Sequence, residues 1–337
     1  MTRTSDAQAQ VTIRPFRGPQ DFPQMLAVLQ GSKAADVIED ADTLEGLAAR
    51  YAQLSHCDPA TDLIMLESQG QLVGYGRTYW SKEANTDTWL YDHMAYLLPA
   101  WRRRGLGGEM LRWLERRAAN VSLERGHPRH AGRYWQTFSY ETETGKAALL
   151  ERAGYAPVRY FYLMVRPNLE NILACPLPPG LELRPVRTSQ LRAIWEASVE
   201  AFRDSWGEPE RTEVDYQGWL TNGDYQPEIW KVAWDAGTNQ VAGMVLGFID
   251  HEQNKQQRRR RGWTENISVR RPWRQRGLAR ALIAASLREL KARGMTEAAL
   301  AVDSESLTGA LRVYESMGFH LVRRNRVWRK AMPASPP

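Results

Sequence analysis

The chain has 337 residues, enough for about two domains of ordinary size, and 43% hydrophobic content supplies a core for each half. No run approaches the roughly 20 apolar residues of a membrane helix, the opening MTRTSDAQAQ lacks the apolar stretch of a signal peptide, and Cys57 and Cys175 form neither a metal spacing nor a disulfide framework. A net charge of +6 suits an anionic ligand or a nucleic acid without choosing between them, and the whole predicts a soluble cytoplasmic protein in a reducing compartment.

In chain order, residues 1–10 read as a flexible N-terminus. VTIRPF (11–16) alternates apolar residues before Arg-Pro and predicts a short opening strand. DFPQMLAVLQ (21–30) and TLEGLAARYAQL (43–54) predict helices. DLIMLES (62–68), QLVGYGRTYW (71–80) and TWLYDHMAYLL (88–98) predict three strands. A helix then opens in WRRRGLGGEML (101–111), followed by a strand, RYWQTFSY (133–140), a short helix, GKAALLERAG (145–154), and a last strand, YAPVRYFYLMV (155–165).

CPLPPG (175–180) reads as an extended linker, because proline restricts both itself and its predecessor. Beyond it the same order returns. LELRPV (181–186) predicts a strand; QLRAIWEASVEAF (190–202) and EVDYQGWL (213–220) predict helices. IWKVAWD (229–235), QVAGMVLGFI (240–249) and WTENISV (263–269) predict three strands. GLARALIAASLRELKAR (277–293) has amphipathic helical spacing, and EAALAVDS, TGALRVYESMG and FHLVRRNRVWRKAM complete a strand, a helix and a strand. The expected fold is therefore α/β: two tandem copies of β-α-α-β-β-β-α-β-α-β, each a mixed sheet flanked by helices. The expected bounds are 11–167 for the first domain, 168–180 for the linker, 181–332 for the second domain and 333–337 for a tail.

WRQRGLARAL (273–282) repeats WRRRGLGGEML in register, pairing Trp101 with Trp273 and Gly105 with Gly277. Each copy lies at a strand-to-helix turn, where unpaired backbone N–H groups and the helix dipole favour an anion. A P-loop is absent, and the GxGxxG pattern fails at Met110 in one copy and at Ala279 and Leu282 in the other. What remains is [Q/R]xxGx[G/A]: Arg102, Gly105 and Gly107, then Arg274, Gly277 and Ala279.

This motif, in this order of elements over residues 11 to 332, resembles the acyl-CoA turn of the GNAT N-acetyltransferase superfamily. Within it, the two-unit organisation is similar to that of the mycothiol synthases, whose C-terminal unit is the active one. The resemblance implies acetyl-CoA as co-substrate. It would be held by the turn Arg274, Gln275, Arg276, Gly277, Leu278 and Ala279, by the backbone at the strand end Val269, and by Ser306 where the family often has Asn. In the first copy Arg102, Arg104, Gly105 and Gly107 would be the counterparts.

Acetyl transfer to an amine needs a base for the ammonium proton and an acid for the departing thiolate. ALRVYESMGF matches the family pattern AxxxYexxGF and makes Tyr314 the candidate acid. Glu265, on the strand beside the acyl site, is the candidate base, as open to being a solvated strand residue as a catalyst. Asp303 and Glu305 are weaker candidates for base or amine recognition, and Phe202, Asp204 and Trp206 either line the acceptor pocket or serve as core and cap. In the first copy the tyrosine position is Leu150, which cannot protonate a thiolate; Asp92 and His93 form either an acid/base pair or a polar strand edge. The expected function is an acetyl-CoA-dependent N-acetyltransferase acting on a primary amine of a small molecule, with the chemistry in the second domain. The competing reading is a non-catalytic CoA-binding or nucleic-acid-binding module on a degenerate GNAT fold. QQRRRRGW (256–263) is its main support, read here as the tip of a hairpin and as surface charge more than a binding site. No membrane, metal or nucleic-acid partner is expected, and the oligomeric state is left open.

Overall fold

The computed structural model describes residues 10–128, 130–306 and 309–333. The expected flexible N-terminus, save Gln10, and the tail, save Pro333, lie outside the described residues. The first repeat carries β1 (Thr12–Arg14), α1 (Phe22–Ala35), α2 (Leu44–Ala52), β2 (Leu63–Ser68), β3 (Gln71–Lys82), β4 (Thr88–Leu97), α3 (Leu106–Glu124), β5 (Gly132–Ser139), α4 (Thr144–Arg152) and β6 (Ala156–Arg166). The second carries β7 (Leu181–Arg184), α5 (Leu191–Phe202), α6 (Glu213–Leu220), β8 (Lys231–Asp235), β9 (Val241–Val245), α7 (His251–Gln256), β10 (Arg261–Trp263), β11 (Ser268–Val269), α8 (Leu278–Ala292), β12 (Glu297–Asp303), α9 (Ala310–Ser316) and β13 (His320–Ala331). Both are mixed α/β arrangements, as the sequence pattern predicts.

The chain forms two compact units that do not follow the two repeats to their ends. Among the described residues, unit one is made of 10–82, 87–128, 130–156 and 328–333, and unit two of 83–86, 157–306 and 309–327. β6 from Pro157 onward therefore belongs to unit two, and β13 divides, its residues from Trp328 onward belonging to unit one. In unit two, β6 pairs antiparallel with β12, from Ala298 opposite Arg166 to Asp303 opposite Phe161. In unit one, Trp328 is 1% exposed and donates its indole N–H to Ser139 Oγ at 2.8 Å. β6 reads APVRYFYLMVR and β13 HLVRRNRVWRKA, and neither sequence names the core that its strand joins. Between β6 and β7, residues 167–180 carry no helix or strand.

In unit one the strands run in the order β1-β2-β3-β4-β5. β3 and β4 pair antiparallel from Lys82 opposite Trp89 to Gly74 opposite Leu97, but the parallel pairing of β4 with β5 ends at Asp92 opposite Gln136. Beyond that point the two parallel strands splay. α3 covers the sheet with Leu106, Met110, Leu114 and Ala118, whose spacing makes one apolar face.

Unit two splays further. One sheet is antiparallel, in the order β7-β8-β9-β11; β10 lies in another, parallel to β12. The expected continuous strand over WTENISV is thus two short strands in different sheets, with Thr264–Ile267 between them. Its cause is local: Asn266 takes φ +51, a left-handed conformation that Asn tolerates better than most side chains and that ends strand pairing. Val232, Met244, Val245, Leu282, Leu287, Leu300 and Phe319 are buried in the core of this unit.

The expected hairpin tip at QQRRRRGW is also different. Asp250 caps α7 by accepting from the Gln253 N–H at 2.7 Å, and the chain then enters β10. The four arginines diverge. Arg258 and Arg260 are exposed, Arg259 donates to Gln253 Oε1, and buried Arg261 pairs with Glu297 at 2.7 Å. They do not form one basic surface.

Candidate active site

The two arginine-glycine turns have nearly the same backbone. Arg103 and Gln275 take φ +63 and +61, and Gly105 and Gly277 take φ +86 and +85 as the N-caps of α3 and α8. Around Gly277, no atom beyond its chain neighbours lies within 4 Å of the position a Cβ would occupy, so the approach to the helix N-terminus is open. The first N–H groups of a helix have no intrahelical acceptor, which leaves those of Leu278, Ala279 and Arg280 at that opening. Leu278 is buried and anchors the helix, while Gln275, Arg276 and Gly277 are exposed.

The first arginine of each turn is tied to the protein. Arg274 donates to Val269 O at 2.9 Å and to Ala201 O at 3.1 Å, and it pairs with Asp204 at 3.3 Å. Arg102 repeats this with Leu97 O, Ser32 and a two-pronged pair to Asp36 at 2.7 and 2.8 Å. These side chains fasten the turn to the end of the first long helix of their repeat. What they leave for a ligand is the backbone. Arg104 lies over the Trp101 ring at 5.1 Å, Arg276 is exposed, and Gly107 sits half-buried against Leu149.

Substituting Gly277 by alanine is expected to cost about 1–2 kcal/mol of stability, because only the left-handed backbone opposes a Cβ in open space. The same change is expected to weaken acetyl-CoA binding at least tenfold in a calorimetric titration.

Glu265 lies in the wedge where β10 and β12 part. The Thr264 N–H still reaches Ala299 O at 2.8 Å, and one residue later the Glu265 carboxylate accepts the Ala301 N–H at 2.9 Å. The side chain thus occupies the place of a missing strand bond. Removal from water, with the charge of Asp224 adding to it, pushes this carboxyl up to about 7 against two opposing backbone hydrogen bonds.

Tyr314, on α9, is 7% exposed and packs edge-on against Phe319. Burial raises its phenol, and the charge of Glu265 raises it further, so the two sequence-predicted chemical residues lie within electrostatic reach of one another. Val269 closes β11 opposite Gly243, and Ser306 follows β12 in a turn in which its N–H donates to Asp303 O.

Asp303 and Glu305 are not free to recognise an amine. Arg159, on β6, donates twice to Asp303 at 2.8 Å and twice to Glu305, to its carboxylate at 2.7 Å and its carbonyl oxygen at 3.2 Å, with Trp206 under its guanidinium at 5.4 Å. Sequence reasoning missed Arg159 because it belongs to the last strand of the other repeat, and no local signal places it here. Asp204 is engaged with Arg271 and Arg274 and acts as a tether, and Phe202 closes α5, half-buried.

In unit one, Asp92 and His93 point to opposite sides of β4 and form no pair. Asp92 accepts from Gln136 at 2.9 Å, and burial pushes it up to about 6. His93 bonds the Tyr155 hydroxyl at 2.9 Å, and burial drives it down to about 3, so it is neutral. Counting back equally from Trp101 and Trp273 puts His93 at the place of Glu265. That correspondence is in the sequence, hidden by strands that differ in length and composition. Leu150, at the tyrosine position, is 2% exposed in a core with Tyr91, Trp135 and Tyr155.

Among the described residues, no helix is long and apolar enough to cross a membrane. Within the same residues, no group of three or more His, Cys, Asp or Glu side chains is placed to hold a metal ion. Both cysteines are free thiols.

Two copies of a splayed sheet, each with a left-handed glycine turn opening a helix at the split, define a tandem GNAT acetyltransferase. The sequence pattern described as "Acetyltransferase (GNAT) family" matches residues 33–128 and 191–319, and the chain belongs to that family. It is an acyltransferase. Among its relatives, a mycothiol acetyltransferase of Thermobispora bispora is 27% identical over 310 residues, covering 89% of this chain and 93% of that one. A GCN5-related N-acetyltransferase from Sphaerobacter thermophilus has a solved structure that matches with TM-score 0.69 at 27% identity, over 95% of both chains. The fold is shared as well with a tandem GNAT protein from the clavulanic acid biosynthesis pathway, with TM-score 0.66 at 17% identity over 97% of this chain and all of that one.

Proposed function

We propose that the second unit transfers an acetyl group from acetyl-CoA to a primary amine of a small molecule, with Glu265 as base and Tyr314 as acid. The carrying observation is the placement of a carboxyl pushed up to about 7 in the strand wedge, electrostatically coupled to a buried tyrosine. A base is most effective when it titrates near the working pH.

The turn from Arg274 to Ala279 fits the pyrophosphate, since its helix opening is unobstructed and its arginine is already committed elsewhere. On this reading Val269, at the end of β11, and Ser306, in the turn after β12, would contact the cofactor arm. Glu265 takes the ammonium proton, directly or through one water, and frees the nitrogen lone pair. The amine nitrogen then forms a bond to the thioester carbon, and the carbon–sulfur bond breaks. Tyr314, which holds its proton to high pH, passes it to the departing thiolate, and the second proton that the nitrogen sheds on becoming an amide restores the phenol. The acidic character contributed by Asp224 and Glu265 favours an acceptor that arrives as a cation.

The first unit, with Leu150 in place of the acid and a neutral, hydrogen-bonded His93 in place of the base, carries no acetyl transfer on this reading. Its turn, Arg102 to Gly107, retains the backbone for CoA. The divergent arginines after α7 disfavour a nucleic-acid role. A cytoplasmic location suits a co-substrate of this kind.

The test is release of CoA thiol against a panel of amines: the acceptor used by mycothiol acetyltransferases, amino sugars, polyamines, aminoglycosides and peptide N-termini. Turnover with at least one small primary amine is expected. Tight acetyl-CoA binding without turnover on any of them would sink the catalytic reading in favour of a CoA-binding module.

A further inference from the structure

Unit one contains a buried cation that its fold does not require. Arg77, on β3, lies between Leu63 of β2 and Met94 of β4 and is 8% exposed. Its Nε and Nη1 atoms are both buried and have no hydrogen-bond partner. Two rings flank the guanidinium, those of Tyr51 on α2 and Tyr79 on β3, each centred 5.4 Å from its carbon. A guanidinium remains charged at any ordinary pH, and a charge held away from water is strongly unfavourable unless paired and hydrogen-bonded.

No neighbour supplies the missing anion. Burial pushes the Cys57 thiol up to about 12, so it is neutral, and burial keeps the Tyr51 phenol protonated. Asp92, opposite Tyr79, accepts from Gln136 and has Arg329, not Arg77, as the cation acting on it. Asp62 and Asp42 are committed to Arg117 and Lys33.

Comparison of the two repeats shows that the charge is dispensable to the architecture. Gly74 opposes Leu97 as Gly243 opposes Val269, and three residues further on Arg77 in the first copy corresponds to Leu246 in the second. Leu246 is 5% exposed and part of an apolar core. A leucine satisfies this position in the same fold; the arginine therefore answers to something other than packing.

We propose that the first unit is a binding module for a small monocarboxylate, whose two oxygens the Arg77 guanidinium grips between the rings of Tyr51 and Tyr79. A planar two-oxygen anion matches the planar donor fork. A single unpaired cation balances one negative charge, so a monocarboxylate fits where a phosphate dianion leaves charge unmatched. The aromatic walls favour an apolar body behind the carboxylate. Leu54 and Cys57, packed on the same core, place the segment after α2 over this region.

Calorimetric titration of the full chain with acetate, benzoate, phenylacetate and inorganic phosphate tests this. At least one monocarboxylate is expected to bind saturably and raise the melting temperature. Arg77→Leu, the residue of the other repeat, is expected to weaken that binding at least tenfold while melting cooperatively at the same or a higher temperature. Should that variant not fold, Arg77→Lys, which keeps the charge and loses the fork, is expected to show the same tenfold weakening. The proposal is overturned if none of the carboxylates binds the unmodified protein. It is equally overturned if a folded variant binds with unchanged affinity, or if phosphate binds more tightly than every carboxylate.

Discussion

Tyr314→Phe is expected to lower kcat by about 10²–10⁴-fold, the range that a positioned general acid contributes. The ring stays: phenylalanine keeps the edge-on contact with Phe319 and the burial of α9 against the core. Stability should therefore change by no more than about 1 kcal/mol, and acetyl-CoA should bind as before. The readout is kcat with the best amine of the panel, together with its pH profile. If the hydroxyl only fills space, turnover and its pH dependence will be unchanged, and the thiolate must obtain its proton elsewhere.

Glu265→Gln separates chemistry from stability. The glutamine oxygen can still accept the Ala301 N–H, so the wedge between β10 and β12 keeps its bridge. A base of about 7 makes kcat/KM rise with pH through that value. In Glu265→Gln, that acidic limb should vanish, and the plateau should fall by about 10²-fold or more. Stability should move the other way. The folded carboxyl titrates near 7 and the unfolded one near 4.5. Between these values the native state holds a proton that the unfolded state has released, so the stability of the unmodified protein falls as pH rises from about 4.5 to 7. The penalty is complete above that window, at up to about 3 kcal/mol. The variant should accordingly be more stable at pH 8 and equal near pH 4, which urea denaturation at the two pH values measures. Equal stability at pH 8 would mean that the carboxyl is not raised.

The double architecture was legible because its signals are local. Alternating residues before Arg-Pro, helical spacing after Gly105 and Gly277, and the left-handed demand of a glycine at a strand-to-helix turn are properties of a few neighbouring residues. The tyrosine of ALRVYESMGF, and its replacement by Leu150, were legible for the same reason. The break inside WTENISV was not. It turns on the left-handed backbone of the single residue Asn266, which a strand-like pattern of side chains does not register. The arginine run after α7 read as one patch because sequence adjacency hides direction; burial of Arg261 against Glu297 splits it.

By itself, the sequence determined the repeated order of elements, the two glycine turns and the one tyrosine between them, since each follows from backbone preference and short-range periodicity. Only the tertiary structure decided which core each final strand completes, because a strand's pairing partner is chosen by contacts far away in the chain. That exchange brings Arg159 to Asp303 and Glu305, and Trp328 to Ser139. The same long-range packing raises Glu265 toward neutrality and leaves Arg77 buried without a counter-ion. Dielectric environment and the absence of a partner arise only when distant segments close around a side chain.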